Sequence, residues 1–478
     1  IAAVGTPKFV PDGVYYTRSP LHHYLVGAVV WVFGDNLWAM RVPSAIFGIA
    51  TGLMIYRTAD RLLGRPWVGM GALFFFTIHP FAIFSAHLVR FYQQQQFTAL
   101  VAFYYFCLGF VGRPSMKYRY LTTIAFLAAV LSQEITAVMV FQLAIGLIFF
   151  GREAGWGNNV RLVLAVGTAL AFIVLDLLVF QTWCLTRTEG VSPNVEAGIK
   201  QHFWDPFNLI SIFLGYSRLH VPPSIFLFVS MPLLILRGGR YVWSMMFFLF
   251  TGVLFTNLMV THVSLRYQYW MIPLLFLLAF RGMALLLDRL ATWTRASGET
   301  DVRPVVTVLA APILLAFFLA WSPWRIIHSY DCKLLNDSTG AFRFVRANLR
   351  PDDAVAANEP HPHAAYLETG RSTYDLTVPL LYDFVVLSKG RLYDRNGGAE
   401  VISSLDDLMN ACLRHERLWV VVNREKFRNR GKNLRWEYPG ARLELFLRKN
   451  CAIAYKTYAW TVFLWDKSRG QYVGFRGQ

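Results

Sequence analysis

Through the first two thirds of the chain, apolar residues come in long blocks separated by short polar loops. A membrane-spanning helix needs about 20 predominantly apolar residues. Blocks that approach this length cover residues 38–57, 67–88, 95–112, 119–132, 134–150, 160–183, 222–237, 241–260, 268–288 and 304–321. The pair 119–132 and 134–150 is one apolar stretch broken at Ser132-Gln133-Glu134. It reads as two short tilted spans or a re-entrant hairpin. Two further aromatic and apolar stretches, Leu21–Phe33 and one around Phe203–Tyr216, are too short to cross. They read as helices lying in the membrane interface.

Beyond about residue 330 the pattern changes. Thr339–Leu349 has helical spacing, Arg350-Pro351-Asp352-Asp353 is a turn, and Ala354–Ala357 begins a strand. Ser404–Arg414 predicts a helix capped by Ser403 or Ser404, with Asp406 and Asp407 in its first turn. Leu418–Val422 predicts a buried strand, and Ala452–Tyr455 with Trp460–Trp465 a closing hairpin. The expected fold is a multi-pass α-helical membrane bundle of about ten spans followed by a soluble α/β domain. Residues 1–37 form an outer loop with interfacial helices, 38–330 the bundle, and 331–478 the α/β domain.

Composition supports the membrane reading. Of 478 residues 55% are hydrophobic and only 16% charged, against roughly 25% charged in soluble domains. The net charge of +17 would suit a nucleic-acid binder, but its distribution does not. Residues 1–330 hold 23 Lys+Arg and 12 Asp+Glu, and 331–478 hold 23 and 17. Within the bundle the cations gather in alternate loops, among them Arg57, Arg61, Arg65, Arg113, Lys117, Arg119, Arg237, Arg240 and Arg289. The opposite loops hold only Arg90, Arg187, Lys200, Arg218 and Arg266. Cation-rich loops stay in the cytoplasm. Both the N-terminal segment and the tail after residue 321 are therefore expected outside, and no nucleic acid is called for.

The five cysteines, Cys107, Cys184, Cys332, Cys412 and Cys451, have no CxxC spacing. Cys107 falls in a span; the other four would be outside, where disulfides or free thiols are both open. No P-loop, GxGxxG or HExxH sequence occurs, and the pair His361 and His363 is a weak metal candidate. No metal and no cofactor is expected.

Ionisable groups near membrane depth are the candidates for chemistry. Arg18, His22, His23, Arg90, Glu134 and Arg266 come from different segments and fall at the outer face. Arginines there can hold a phosphate through charge-assisted bonds. Glu134 can act as acid, base or hydroxyl acceptor. Tyr92, His262 and Tyr267 flank these positions. Arg90-Phe91-Tyr92 reads as the start of a loop running into Gln93–Gln96. Asp176 falls mid-span with no role assigned.

The stretch Gly5-Thr-Pro, Asp12-Gly13, Tyr16, Arg18-Ser-Pro-Leu-His-His-Tyr, Phe33-Gly34 and Arg41-Val-Pro-Ser-Ala-Ile-Phe-Gly48 resembles lipid-linked-sugar glycosyltransferases of the GT-C superfamily. The branch is that of the protein mannosyltransferases and aminoarabinose transferases. The resemblance continues through Arg90-Phe-Tyr, Arg266-Tyr267 and Pro273, and more loosely through Phe342-Arg-Phe-Val-Arg, Leu405-Asp-Asp-Leu and Leu418-Trp-Val-Val-Val. It implies an inverting enzyme of the bacterial cytoplasmic membrane. Such an enzyme moves a sugar from a polyprenyl-phosphate donor to a protein, lipid or glycan acceptor at the periplasmic face. Arg18 would match the family's donor-phosphate cation, with Arg90 and Arg266 assisting. His22, His23, Tyr92, His262 and Tyr267 would line the cavity. The family's main catalytic carboxylate and first span would precede Ile1, leaving Glu134 as the carboxylate supplied here. The family's loop aspartate after the third span is replaced by Tyr92. The rival readings are a transporter or lipid flippase, and a non-catalytic scaffold on the same fold.

Overall fold

The computed structural model describes residues 19–34, 36–112, 115–150, 210, 212–214, 220–259, 265–296, 338–357, 373–376, 385–388, 391–394, 399–402, 404–423, 440–457 and 460–469. The chain divides into two compact units, with the main division between Ile327 and His328.

The described part of the first unit is helical. Its helices are α1 (Pro20–Phe33), α2 (Leu37–Thr58), α3 (Pro66–Ile78), α4 (Pro80–His87) and α5 (Tyr92–Phe106). Next come α6 (Met116–Ser132), α7 (Met139–Phe150), α8 (Val221–Arg237), α9 (Gly239–Met259) and α10 (Ile272–Ala296). Each expected span within the described residues meets one of these helices; the blocks 160–183 and 304–321, with Asp176, lie outside them. By length and apolarity, two described segments can cross a membrane, Trp38–Leu63 and Tyr269–Thr292, and a third if α3 and α4 count as one span. The expected count of ten is thus not reached among the described residues.

Two boundaries differ from the sequence reading. The block 67–88 is not one straight helix: α3 and α4 meet at a 62° bend. Pro80 disfavours helical geometry at His79, which is extended (φ −70°, ψ 119°). Gln93 and Gln94 precede the block 95–112 but are helical together with Gln95 and Gln96. They form the first turns of α5, as glutamine's good helix propensity allows. The break at residues 132–134 is real: α6 ends at Ser132 and a 3₁₀ turn, Glu134–Val138, leads into α7.

Small residues let these helices approach. The Phe280 ring of α10 rests on Gly71 of α3, and Gly282 of α10 lies against Ser230 of α8. Gly146 of α7 meets Phe106 of α5. Close approach at small residues is the main packing device where lipid removes the hydrophobic drive between helices.

The second unit is a three-layer α/β structure. Its eight strands are β1 (Ala354–Ala357), β2 (Thr373–Asp375), β3 (Val385–Ser388), β4 (Arg391–Asp394), β5 (Glu400–Val401), β6 (Arg417–Asn423), β7 (Ala452–Lys456) and β8 (Trp460–Asp466). They lie in the order β3-β4-β5-β2-β1-β6-β8-β7. The centre, β5-β2-β1-β6, is parallel and both flanks are antiparallel. Strand alternation sorts the core: Ala354, Ala356, Leu418, Val420 and Val422 pack under α12 (Leu405–Arg414) and α13 (Gly440–Asn450). Val355, Ala357, Trp419 and Val421 pack under α11 (Ser338–Asn348) on the other face. Ser404 caps α12 in a reciprocal box with Asp407. Cys412 and Cys451 are free thiols buried in one core cluster. Burial pushes the Cys451 thiol up to about 12 and raises that of Cys412 as well.

Candidate functional site

The first turn of α5 is the meeting point of the first unit. Gln93, Gln94, Gln95 and Gln96 are all at most 1% exposed. Consecutive helix positions point about 100° apart, so four amides in a row reach four directions. Gln93 Nε2 donates to the Ala82 carbonyl of α4 (2.8 Å) and to the Tyr269 hydroxyl (2.7 Å). Gln96 Nε2 donates to the Tyr269 carbonyl (2.7 Å). Gln95 Nε2 donates to Thr136 Oγ1 (2.9 Å), and Gln94 Oε1 lies 3.2 Å from His22 Nδ1 of α1. Ser19 Oγ closes the ring by donating to Gln133 Oε1 (3.2 Å).

These partners are chain neighbours of the residues singled out from sequence. Ser19 follows Arg18, Gln133 precedes Glu134, and Tyr269 lies three residues after Arg266. The glutamine hub thus gathers the four segments expected to converge. Arg18 and His262 lie outside the described residues. For Glu134 and Arg266 the structure describes the backbone: Glu134 opens the 3₁₀ turn, and Arg266 lies in the helical turn Leu265–Gln268. Tyr92 is buried and Tyr267 half-buried.

Arg90 lies in the four-residue link between α4 and α5, and its carbonyl accepts from Ser44 Oγ of α2 (3.1 Å). Its side chain is exposed and makes no ion pair among the described residues. His22 is 3% exposed and stacks edge-on against Phe91 and His23. Burial pulls its pKa down to about 4; His23 and Arg90 lower it further and the Gln94 bond opposes. His23 is also lowered, chiefly by burial, with Arg90 adding to the effect. At neutral pH Arg90 therefore lies beside two neutral imidazoles. Nδ1 of His22 faces Gln94 and its Nε2 is buried with no hydrogen-bond partner.

Ser19 at the head of α1 has φ 54°, the one non-glycine residue with positive φ among the described residues. Such backbone strain persists only where the surroundings enforce it. Here the Gln133 bond and the His23 Nδ1 contact to the Ser19 carbonyl (2.9 Å) hold it.

Two features were missed in the sequence. The glutamines carry the hub, and the signal for them was four polar residues in a row at the head of an apolar block, which lipid cannot solvate. The second is a buried pair: His79 Nε2 lies 2.9 Å from His220 Nε2. No group of three metal-ligating residues occurs among the described residues.

The family model described as dolichyl-phosphate-mannose-protein mannosyltransferase matches residues 17–178, about a third of the chain, including α1, Arg90 and the four glutamines of the hub but not Tyr269. The crystal structure of ArnT from Cupriavidus metallidurans bound to undecaprenyl phosphate is similar over 97% of this chain and 91% of that one. Its TM-score is 0.58 at 14% identity. At this identity the likeness is one of fold. The likeness in fold extends to the archaeal oligosaccharyltransferase AglB from Archaeoglobus fulgidus, in complex with an inhibitory peptide and a dolichol-phosphate. There the TM-score is 0.50 at 11% identity, over 95% of this chain and 67% of that one. No curated protein sequence matches the chain. The resemblance drawn from the Arg18–Gly48 stretch and its companions is borne out by the mannosyltransferase family model over residues 17–178 and by the likeness in fold to ArnT and AglB.

Proposed function

We propose that this GT-C chain is a membrane glycosyltransferase that moves a sugar from a polyprenyl-phosphate donor to an acceptor at the outer face of the bacterial cytoplasmic membrane. The observation that carries the reading is the hub. Exposed Arg90, without an ion pair among the described residues, lies next to the hub beside His22 and His23, in the segment matched by the mannosyltransferase family model, and this supports the reading. Cleavage of an anomeric C–O bond leaves charge on the departing phosphate, and preorganised cations stabilise that charge. Arg90 fills this role, with Arg18 and Arg266 on the neighbouring segments. Glu134, next to Gln133 of the hub, is the carboxylate assigned to accept the acceptor's proton. Inversion at the anomeric carbon belongs to the same proposal. So do a periplasmic 331–478 domain and Tyr92, His262 and Tyr267 as cavity residues. The required partners are the bilayer, the lipid-linked sugar and an acceptor of protein, lipid or glycan class.

The test uses the full chain reconstituted with a polyprenyl-phosphate sugar. Replacing Arg18, Arg90 or Arg266 by Ala removes a transition-state contact, and a drop in kcat of about 10²-fold or more is expected for the strongest of them. Undiminished transfer by all three variants refutes the reading. The α3–α4 break favours one rival, a lipid flippase, because broken helices mark transport sites. Translocation of a labelled polyprenyl phosphate in liposomes lacking acceptor would select it instead.

A further inference from the structure

One buried hydroxyl on the Arg41–Gly48 stretch of α2 behaves unlike its neighbours. Ser44 is 1% exposed. A serine or threonine inside a helix can bond back to the carbonyl four residues earlier. Thr51 and Thr58 of α2 do so, as do Thr122 and Ser132 of α6. Ser44 Oγ instead leaves its own helix. It donates to the Arg90 carbonyl at 3.1 Å, 46 positions along the chain.

Arg90 sits where such a tether matters. It belongs to residues 88–91, between the end of α4 at His87 and the start of α5 at Tyr92. Leu88 is extended (φ −86°, ψ 143°), so the helical hydrogen-bond ladder is interrupted there. Gly48 lies one turn on from Ser44, on the same face of α2. A Cβ at Gly48 would stand 3.3 Å from Ala86 Cβ of α4 and 3.7 Å from Gln93 Cδ of α5. Both helices that flank the link therefore press on α2 where it has no side chain, and Ser44 fastens the link between them. One face of α2 thus meets the chain at Ala86, Arg90 and Gln93, while the Arg90 side chain stays exposed.

We infer that Ser44 is a positioning residue for Arg90. The Ser44–Gly48 face of α2 is the platform that aims the Arg90 guanidinium at the donor phosphate. The inference rests on the proposed role of Arg90 in sugar transfer. A cation lowers the barrier to phosphate departure when it is held in place beforehand. Arginine's long side chain takes its starting point from the backbone, and Ser44 holds that backbone. Ser44 acts through Arg90 alone.

The full chain is reconstituted with a polyprenyl-phosphate sugar for transfer kinetics, and undecaprenyl phosphate binding is titrated separately. Ser44→Ala should lower kcat and weaken undecaprenyl phosphate binding, each by about tenfold, with the acceptor KM unchanged. Ser44→Thr keeps the hydroxyl and should stay within about threefold of wild type in both. In the Arg90→Ala background, Ser44→Ala should cost less than about twofold, because the group it aims is gone. An equal loss in both backgrounds overturns the inference and leaves the reading of Arg90 standing. So does an impaired Arg90→Ala beside a Ser44→Ala with wild-type kinetics and binding. Wild-type transfer and binding by Arg90→Ala overturn the role of Arg90 and the inference with it. The binding arm needs no turnover, so it decides the inference even where the transferase reading fails. Should Ser44→Ala not fold, Gly48→Ala provides the second test, since its methyl pushes on Ala86. The same Arg90-dependent loss is expected, and unchanged transfer and binding in that variant overturn the inference.

Discussion

Acidification should undock α1, and His22 sets the size of the effect. Helix α1 has 14 residues, about 21 Å at the helical rise, which is too short to cross about 30 Å of hydrocarbon. It is read as interfacial, so its undocked state is open to water. There His22 returns towards its ordinary pKa of 6.5, whereas docked it stands at about 4. The undocked state thus binds the proton first. Docking is at full strength above pH 6.5 and weakens as pH falls towards 4. Between pH 7.5 and pH 5 the loss is about 2 kcal/mol, or roughly 30-fold in the docking equilibrium. His22→Asn keeps a donor near Nδ1 for Gln94 but does not titrate. Hydrogen–deuterium exchange of the 19–33 peptide, corrected for intrinsic rates, reads the equilibrium. Wild type should lose roughly 30-fold more protection than His22→Asn over this interval. The depressed His23 contributes to both proteins and cancels in the difference. Equal pH sensitivity in the two proteins would refute the reasoning.

Two further predictions concern packing. In the α/β unit, buried Asp353 accepts from Trp419 Nε1 (2.8 Å) and the Arg350 amide (2.9 Å), with Arg417 at 3.6 Å. Asp353→Ala strands a nearly buried cation and should cost about 3–5 kcal/mol. Maleimide labelling of buried Cys412 and Cys451 should rise steeply, and wild-type labelling rates would count against the network. In the helical unit, an added methyl at Gly282 would overlap Ser230 Oγ and come within 2.7 Å of its Cβ. Gly282→Ala should therefore cost about 1–3 kcal/mol through overpacking. The thermal midpoint of the full chain should fall and recover in the Gly282→Ala, Ser230→Gly double variant; no recovery would place the strain elsewhere.

Much of the α/β unit was legible because its signals are local. The Ser404 cap, the Ala354–Ala357 strand, the buried Leu418–Val422 strand and the Ala452–Trp465 hairpin all appear where the pattern places them. The short strands β2 to β5 and helix α13 were not read. A strand of two to four residues carries too little alternation to detect, and its existence depends on the neighbour it pairs with. In the helical unit the blocks were legible, but not the bend at His79 or the start of α5 at Tyr92, which takes in Gln93 and Gln94. Candidate site residues were found by charge type, which cannot reveal which neutral amides hold their segments together.

Hydropathy and charge along the chain determined the class of this protein: apolar blocks that only lipid or a helical interior can accommodate, then a mixed α/β tail. The Arg18–Gly48 stretch carried the resemblance that agrees with the family model over residues 17–178 and with the likeness in fold to ArnT. Only the tertiary structure decided that Gln93–Gln96 tie α1, α4 and the Thr136 and Tyr269 turns into one site. A hydrogen bond in a lipid-embedded interior is specified by which groups meet. That depends on contacts between residues far apart in sequence, and no local pattern encodes them.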